Sequence, residues 1–335
     1  MNLDNLEKTL ANEPKFRFKQ AKAAVLKDLI EDWSNVSSLP LNIREKLKID
    51  CPLEIKAEIF PSRDLQTEKA LIYLSDGEKI ETVLMKHQDK RRTVCVSCQV
   101  GCPLNCSFCA TGKMGFKRNL TASEILEQVL YFARVLKSKK EKVTNIVFMG
   151  MGEPFLNYDN VMAAIRLLND KDGFNLGARH ISISTAGITE GIEKLAQEKL
   201  QVNLAVSLHA PNDELRKKIM PIDKKYPIEK VLAAVDDYIR KTNRRVMFEY
   251  LMIKGVNDSE NEANQLTRLM RRPLYFVNLI TYNATGNFTP SSAETVNIFK
   301  EILAKAGVAV TERFRFGRDI KAACGQLAIK PGGKS

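Results

Sequence analysis

Six short apolar runs, each followed by a helical stretch, constrain this 335-residue chain more than any other feature. The runs are 93–97, NIVFMG at 145–150, HISIST at 180–185, VNLAVSLH at 202–209, RRVMFEYLMI at 244–253 and LYFVNLITY at 274–282. Helical spacing of apolar residues follows them at 123–137, 158–169, 189–198, 213–219 with 228–241, 260–271 and 292–306. Thr121 with Glu124 and Ser291 with Glu294 read as capping boxes, and Gly307 as a C-terminal stop. Such alternation implies a parallel sheet with helices outside it. Six units fall two short of a closed eightfold barrel. The expected fold class is therefore α/β, a partial (β/α)6 barrel whose reactive loops sit at the C-terminal ends of the strands. A doubly wound open sheet is the alternative. A last strand is expected at 308–316.

Ahead of the barrel the pattern changes twice. Residues 1–55 read as a helical accessory domain, in which Phe18, Ala21, Val25, Leu29 and Trp33 recur at helical spacing after Pro14. Residues 56–90 read as a β-hairpin extension, with Ser75-Asp76-Gly77 as a turn. The core then spans 91–329, with a tail at 330–335. No apolar run approaches the roughly 18–20 residues of a membrane helix. The N-terminus mixes charges and lacks a signal-peptide core, so the expectation is a cytoplasmic protein with no membrane association.

Five of the seven cysteines fall between residues 95 and 109. An odd number in a chain read as cytoplasmic is not a disulfide framework. Cys102, Cys106 and Cys109 form a C-x3-C-x2-C triplet on the loop after the first core strand. Thiolates ligate iron–sulfur clusters, and a cubane bound by three leaves one iron open. Phe108, just before the third cysteine, is placed to shield such a group from water. A structural zinc site is the competing reading, with Cys98 or a histidine as fourth ligand.

The chain carries 52 lysines and arginines against 40 acids, a surplus of +12. Residues 86–118 hold a net +6 and residues 309–335 a net +4. These stretches also hold six of the seven cysteines. They read either as solvated loops or as a basic collar, including Lys117, Arg118, Arg315 and Arg318, that docks a phosphate backbone.

The wording of several segments goes further. VCVSCQVGCPLNCSFCATG, FMGMGEP, ISISTAG, AVSLHAPNDELR, NLITYN and DIKAACGQLA together resemble the RlmN/Cfr family of radical S-adenosylmethionine (SAM) RNA methyltransferases, in the family's order from about residue 81 to 329. The resemblance implies a 4Fe–4S cluster on Cys102, Cys106 and Cys109, and two SAM molecules per turnover. It marks Gly152, Glu153, Ser184, Ser207, Leu208, His209 and Asn283 as SAM contacts. It marks Cys324 as the thiol that is S-methylated, Cys95 as the resolving thiol that forms a disulfide with it, and Glu81 as proton acceptor. Read without the resemblance, Cys324 is an inert thiol or a nucleophile activated by its basic setting. Likewise Cys95 is core packing, His209 a satisfied structural residue, and Glu81 an exposed hairpin carboxylate.

The implied reaction is methylation of C2 of an adenosine in 23S rRNA (position 2503) and of adenosine 37 in tRNA, with an electron donor such as flavodoxin and a monomeric enzyme. GEP and SLHAPND favour this branch over its C8-methylating, Cfr-type relative. A zinc-dependent RNA-binding protein is the reading from another class. Gly150-x-Gly152 does not continue as G-x-G-x-x-G, so a nucleotide-binding Rossmann fingerprint is absent. Cys98 stands where the family leads one to expect serine. Neither Cys98 nor Cys51 has an evident role.

Overall fold

The computed structural model describes residues 3–286, 288–313 and 316–328. Three helices, α1 (Asp4–Thr9), α2 (Lys15–Leu26) and α3 (Leu41–Asp50), precede three antiparallel strands, β1 (Ala57–Pro61), β2 (Thr67–Tyr73) and β3 (Lys79–Lys86). Strand β4 (Arg92–Cys95) follows. A small antiparallel pair comes next, β5 (Gln99–Gly101) with β6 (Phe116–Asn119), and it brackets the one-turn helix α4 (Ala110–Lys113). The chain then alternates: α5 (Ala122–Ser138), β7 (Asn145–Phe148), α6 (Tyr158–Asn169), β8 (Ile181–Thr185), α7 (Thr189–Leu195), β9 (Asn203–Ser207), α8 (Asp213–Ile219), α9 (Ile228–Thr242), β10 (Val246–Met252), α10 (Glu260–Met270), β11 (Tyr275–Thr281), α11 (Ala293–Lys305) and β12 (Val310–Glu312).

Ten strands form one sheet in the order β1-β2-β3-β4-β7-β8-β9-β10-β11-β12. From β4 onward every pairing is parallel, in chain order. This is the expected partial barrel. The hairpin strands extend the same sheet, because β3 pairs antiparallel with β4. Strand β10 shows how the layers divide. Phe248 and Tyr250 face the helices, against Tyr275 and against Phe299 of α11. The residues between and after them, Glu249 and Leu251, therefore point inward, as strand alternation requires.

Local signals meet the structure unevenly. Thr121 and Glu124 form both halves of a capping box on α5. Gly307 follows the end of α11 at φ +80°, the left-handed geometry of a helix stop. The expected Ser291–Glu294 box does not form. Ser292 is the cap, accepting from the Thr295 N–H, while the Ser291 hydroxyl donates to Asp258 at 2.6 Å. Helix α2 ends at Leu26, and Leu29 takes φ +53°, so the helical spacing stops short of Trp33. Trp33 is instead buried in a short 3-10 turn, where its indole N–H donates to the Cys51 carbonyl at 2.8 Å. Cys51 is thus a core residue. Of the strand expected at 308–316 only β12 is regular, and residues 314–315, including Arg315, lie outside the described residues.

Candidate active site

The barrel interior holds two cavities. The smaller, about 160 Å3, lies at the strand C-terminal ends and is lined by Cys102, Cys106, Cys109, Glu153, Ser184 and His209, among others. The larger, about 560 Å3, reaches the opposite half of the barrel and is lined by Thr93, Cys95, Asn145, Ser182 and Asn283, among others. Met149, Ile280, Arg313, Cys324 and Leu327 line both. Cys324 therefore stands on the boundary, with the three loop cysteines on one side and Cys95 on the other.

The cysteine loop is sealed at its base. A Cβ on Gly101 would lie 1.9 Å from the Gly115 carbonyl oxygen, and Gly101 sits at φ +78°, so only glycine fits there. The Cys102 N–H donates to that same carbonyl at 2.8 Å. Burial pushes the Cys102 thiol up to about 12 and raises Cys106 well above the usual thiol range. A metal charge would have to offset that cost, because the ligand is the thiolate. Among the described residues no three His, Cys, Asp or Glu side chains converge on a single ion. Three thiols spread around one cavity suit a cluster that takes one thiolate per iron.

On the facing wall Gly152 has φ +103°, and a Cβ there would meet the Gln99 side chain at 2.6 Å. Glu153 is buried, its carboxylate accepting from the Ala186 N–H at 2.7 Å and the Phe155 N–H at 3.1 Å. Burial still pushes its carboxyl up to about 7. His209 sits at φ +58°, and its Nδ1 accepts from the Leu251 N–H at 3.1 Å. That bond leaves the proton on Nε2. Burial, with Arg216 nearby, drives His209 down to about 3, so the ring is neutral. Phe108 lies edge-on to it at 4.9 Å. Ser184 and Ser207 line the cavity at the ends of β8 and β9. Leu208 is fully buried and lines neither cavity. Asn283 donates to the Cys324 carbonyl at 3.4 Å, while its buried Oδ1 has no protein partner. An orphaned buried acceptor calls for a ligand donor.

The segment that carries Cys324 is strapped down on three sides. The Gly325 and Leu327 carbonyls accept from the Ala110 N–H at 2.8 Å and the Thr111 hydroxyl at 2.6 Å, both on the cysteine loop. Gln326 donates to the Ala284 carbonyl at 3.2 Å. The Ala328 N–H donates to Glu81 at 2.8 Å. Glu81 is buried rather than exposed, pairs with Lys69 at 2.7 Å and lines neither cavity. All seven cysteines, Cys95 and Cys324 included, are free thiols here. Cys98 is buried, with its thiol donating to the Met151 carbonyl at 3.6 Å.

The radical SAM superfamily pattern matches residues 96–266. A "Probable dual-specificity RNA methyltransferase RlmN" of Dictyoglomus turgidum is 46% identical, over 94% of this chain and 91% of that protein. A "Ribosomal RNA large subunit methyltransferase N" of Nitrosopumilus maritimus is 48% identical, over 89% of this chain and 88% of that protein. This chain belongs to the radical SAM superfamily and, within it, to the RlmN family. A solved radical SAM methyltransferase from Sphaerobacter thermophilus matches with a TM-score of 0.93 at 46% identity, covering 98% of this chain and 97% of that one. RlmN family membership removes the zinc-dependent RNA-binding reading, and it implies a 4Fe–4S cluster and SAM.

Three residues of the site have no counterpart in the sequence reading. Arg216 is fully buried and donates to the Leu208, Ala186, Ser207 and Tyr226 carbonyls and to Asp223, at 2.7–3.2 Å. It thereby pins the loops after β8 and β9. The other two are Glu249 and Arg313, both lining the smaller cavity. Glu249 left a signal, as a lone carboxylate in the apolar run VMFEYLM.

In the 86–118 stretch of the basic collar, five of the seven bases are ion-paired within the chain. Arg118 binds Glu124 through both carboxylate oxygens and also Asp76, while Lys117 pairs with Glu78. Arg92 binds Glu141, Arg91 binds Asp89 and Lys86 binds Glu68.

Proposed function

We propose that this enzyme methylates C2 of an adenosine in 23S rRNA, and of adenosine 37 in tRNA, in the cytoplasm, using Cys324 as a methyl carrier. The observation that carries the reading is that Cys324 borders both cavities, the one lined by Cys102, Cys106 and Cys109 and the one lined by Cys95. The names of the relatives support RNA as the substrate.

Cys102, Cys106 and Cys109 would hold the cluster, which when bound supplies the electron that cleaves SAM to a 5′-deoxyadenosyl radical. Glu153, Ser184, Ser207, His209 and Asn283 bind and orient SAM. Neutral His209 offers an Nε2 donor, and the Asn283 Oδ1 an acceptor. The Cys324 sulfur accepts a methyl group from one SAM. A second SAM is spent in taking a hydrogen atom from that methyl, whose carbon then adds to adenine C2. Once the adduct has given up one electron, which the bound cluster would take back, and its C2 proton, the Cys95 sulfur, its own proton lost, attacks the Cys324 sulfur. The S–CH2 bond breaks, the released carbon takes up a proton to become the methyl group, and a cellular dithiol reduces the resulting Cys95–Cys324 disulfide. The proton released at C2 goes to Glu81. Flavodoxin is the class of electron donor this scheme calls for, and a monomer suffices for it.

The decisive experiment compares Cys95→Ala with Cys324→Ala under anaerobic turnover with unmodified RNA. Cys95→Ala accumulates a protein–RNA cross-link and Cys324→Ala does not. Loss of activity without any adduct in either variant rejects the scheme. Mass spectrometry of the product separates 2-methyladenosine from the 8-methyl isomer. Glu81→Gln tests the proton acceptor, the expected result being lost turnover with Cys324 methylation retained.

A further inference from the structure

Strand register builds a polar ladder towards Cys324. Glu249, Asn278 and Thr311 occupy matched positions on β10, β11 and β12. The Thr311 hydroxyl donates to Asn278 Oδ1 at 3.0 Å, and Asn278 Nδ2 donates to Glu249 Oε2 at 2.9 Å. Glu249 Oε1 has no hydrogen-bond partner of its own and faces the Arg313 guanidinium at 3.8 Å. Arg313 lies two residues beyond Thr311, on the same side of the chain. Its Nη1 donates to the Cys324 sulfur at 3.5 Å and its Nη2 to the Met149 sulfur at 3.0 Å. Five residues on four chain segments thus end in one cation against one thiol.

We infer that Arg313 holds Cys324 as the thiolate that accepts the first methyl group, and that Glu249 is the positioning residue that aims the guanidinium. The inference rests on the methyl-carrier role of Cys324. The step balances without a redox partner. The thiol proton leaves to solvent, the thiolate electron pair forms the new S–CH3 bond, the sulfonium S–CH3 bond of SAM breaks, and S-adenosylhomocysteine departs neutral at sulfur.

The two reactive thiols are then unlike each other. Cys95 is pushed up to about 12, by burial first and the nearby Cys324 charge second, and stays protonated. Cys324 is partly exposed and touches a cation. The charged and titratable groups that share its two cavities are Arg313, Glu312 on β12, Glu249 on β10, Cys95 on β4, and His87 and Arg91 between β3 and β4, with Cys102, Cys106, Cys109, Glu153, His209 and Tyr282 on the side of the cysteine loop. Opposite charge within a few ångströms lowers a thiol's range, and a neighbouring carboxylate raises it.

The test measures alkylation of Cys324 by iodoacetamide against pH in the full-length, cluster-loaded protein, starting from unmethylated enzyme. Cleavage after Lys321 leaves Cys324 on a fragment with no other cysteine, so mass spectrometry reads it alone. Arg313→Gln moves the alkylation midpoint up by about one pH unit or more, about tenfold slower labelling at neutral pH. Arg313→Lys restores most of that loss. Glu249→Gln keeps an acceptor for the guanidinium and leaves the midpoint at or below that of wild type, whereas Glu249→Ala frees the guanidinium and moves the midpoint up. An unchanged profile in Arg313→Gln overturns the inference. Weaker SAM binding alongside it makes Arg313 a partner of the SAM carboxylate, and weaker RNA binding makes it a phosphate contact. An unchanged or lowered midpoint in Glu249→Ala equally overturns the positioning role of Glu249. Wild-type enzyme whose Cys324 labelling depends on Arg313 but which never gains a methyl group refutes the carrier role and leaves the Arg313–Cys324 pair standing.

Discussion

Two polar side chains on the wall of the smaller cavity are tied back to the backbone. Glu153 is held by two backbone N–H groups, His209 by a third, and the loops behind them by a single buried arginine. The larger cavity keeps more in reserve: the Cys95 thiol and room for about 560 Å3 of guest. The difference separates two tasks. A wall anchored at Glu153 and His209 fixes one cofactor in one pose, since little reorganisation remains there. A roomier, less committed wall admits and releases a substrate.

That division breaks most visibly at the metal. Cys106→Ala should take iron from about four per chain to none and abolish methyl transfer, whereas Cys95→Ala keeps full iron. Iron analysis and the visible absorption band read both, and iron loss in Cys95→Ala would merge the two cavities into one. Next in size is stability. Arg216→Met leaves Asp223 buried without its partner and should cost about 3–5 kcal/mol in urea unfolding. Arg313→Gln, at a side chain 26% exposed, leaves the buried Glu249 without its cation and should cost less than Arg216→Met, about 1–2 kcal/mol.

A smaller effect lies in pH. The Glu153 carboxyl holds its proton more tightly in the folded chain, at about 7 against an ordinary 4.5. Stability therefore falls as pH rises through that interval, by up to about 3 kcal/mol, as ionisation of the buried group is forced. Metal-free Glu153→Gln should lose that slope, and an unchanged slope would place the titrating group elsewhere. The smallest effect concerns the collar. Because Lys117 already pairs with Glu78, Lys117→Gln should change the salt dependence of RNA binding by less than the roughly 0.9 log unit of a full phosphate contact. A full unit would mean that RNA breaks the ion pair.

The fold was legible because its signal is periodic. Each core strand is a contiguous apolar run, and each helix repeats at three and four residues. The cysteine triplet was legible because its ligands are neighbours in sequence. What stayed hidden was long-range. Arg216 reads as one more charge in DELRKK, and only the folded chain brings four carbonyls around it. Arg313 reads as one more base in the stretch 309–335, and only the folded chain sets it between Glu249 and Cys324. The Ser291 cap failed for a similar reason: Asp258, 33 residues away, claims its hydroxyl. Lys117 and Arg118 suggested a docking surface because sequence shows a surplus of charge and not the carboxylates folded against it.

The strap over Cys324 also bears on how the protein is made. Residues 325–328 close over the cysteine loop through Ala110 and Thr111 and tie to the hairpin through Glu81. Translation delivers them last among the described residues. Until they emerge, the loop that receives iron lacks its cover, and a nascent or C-terminally truncated chain exposes those thiols to whatever delivers or oxidises metal. The reactive thiol and the segment that covers the cysteine loop thus belong to one stretch of chain, residues 324–328.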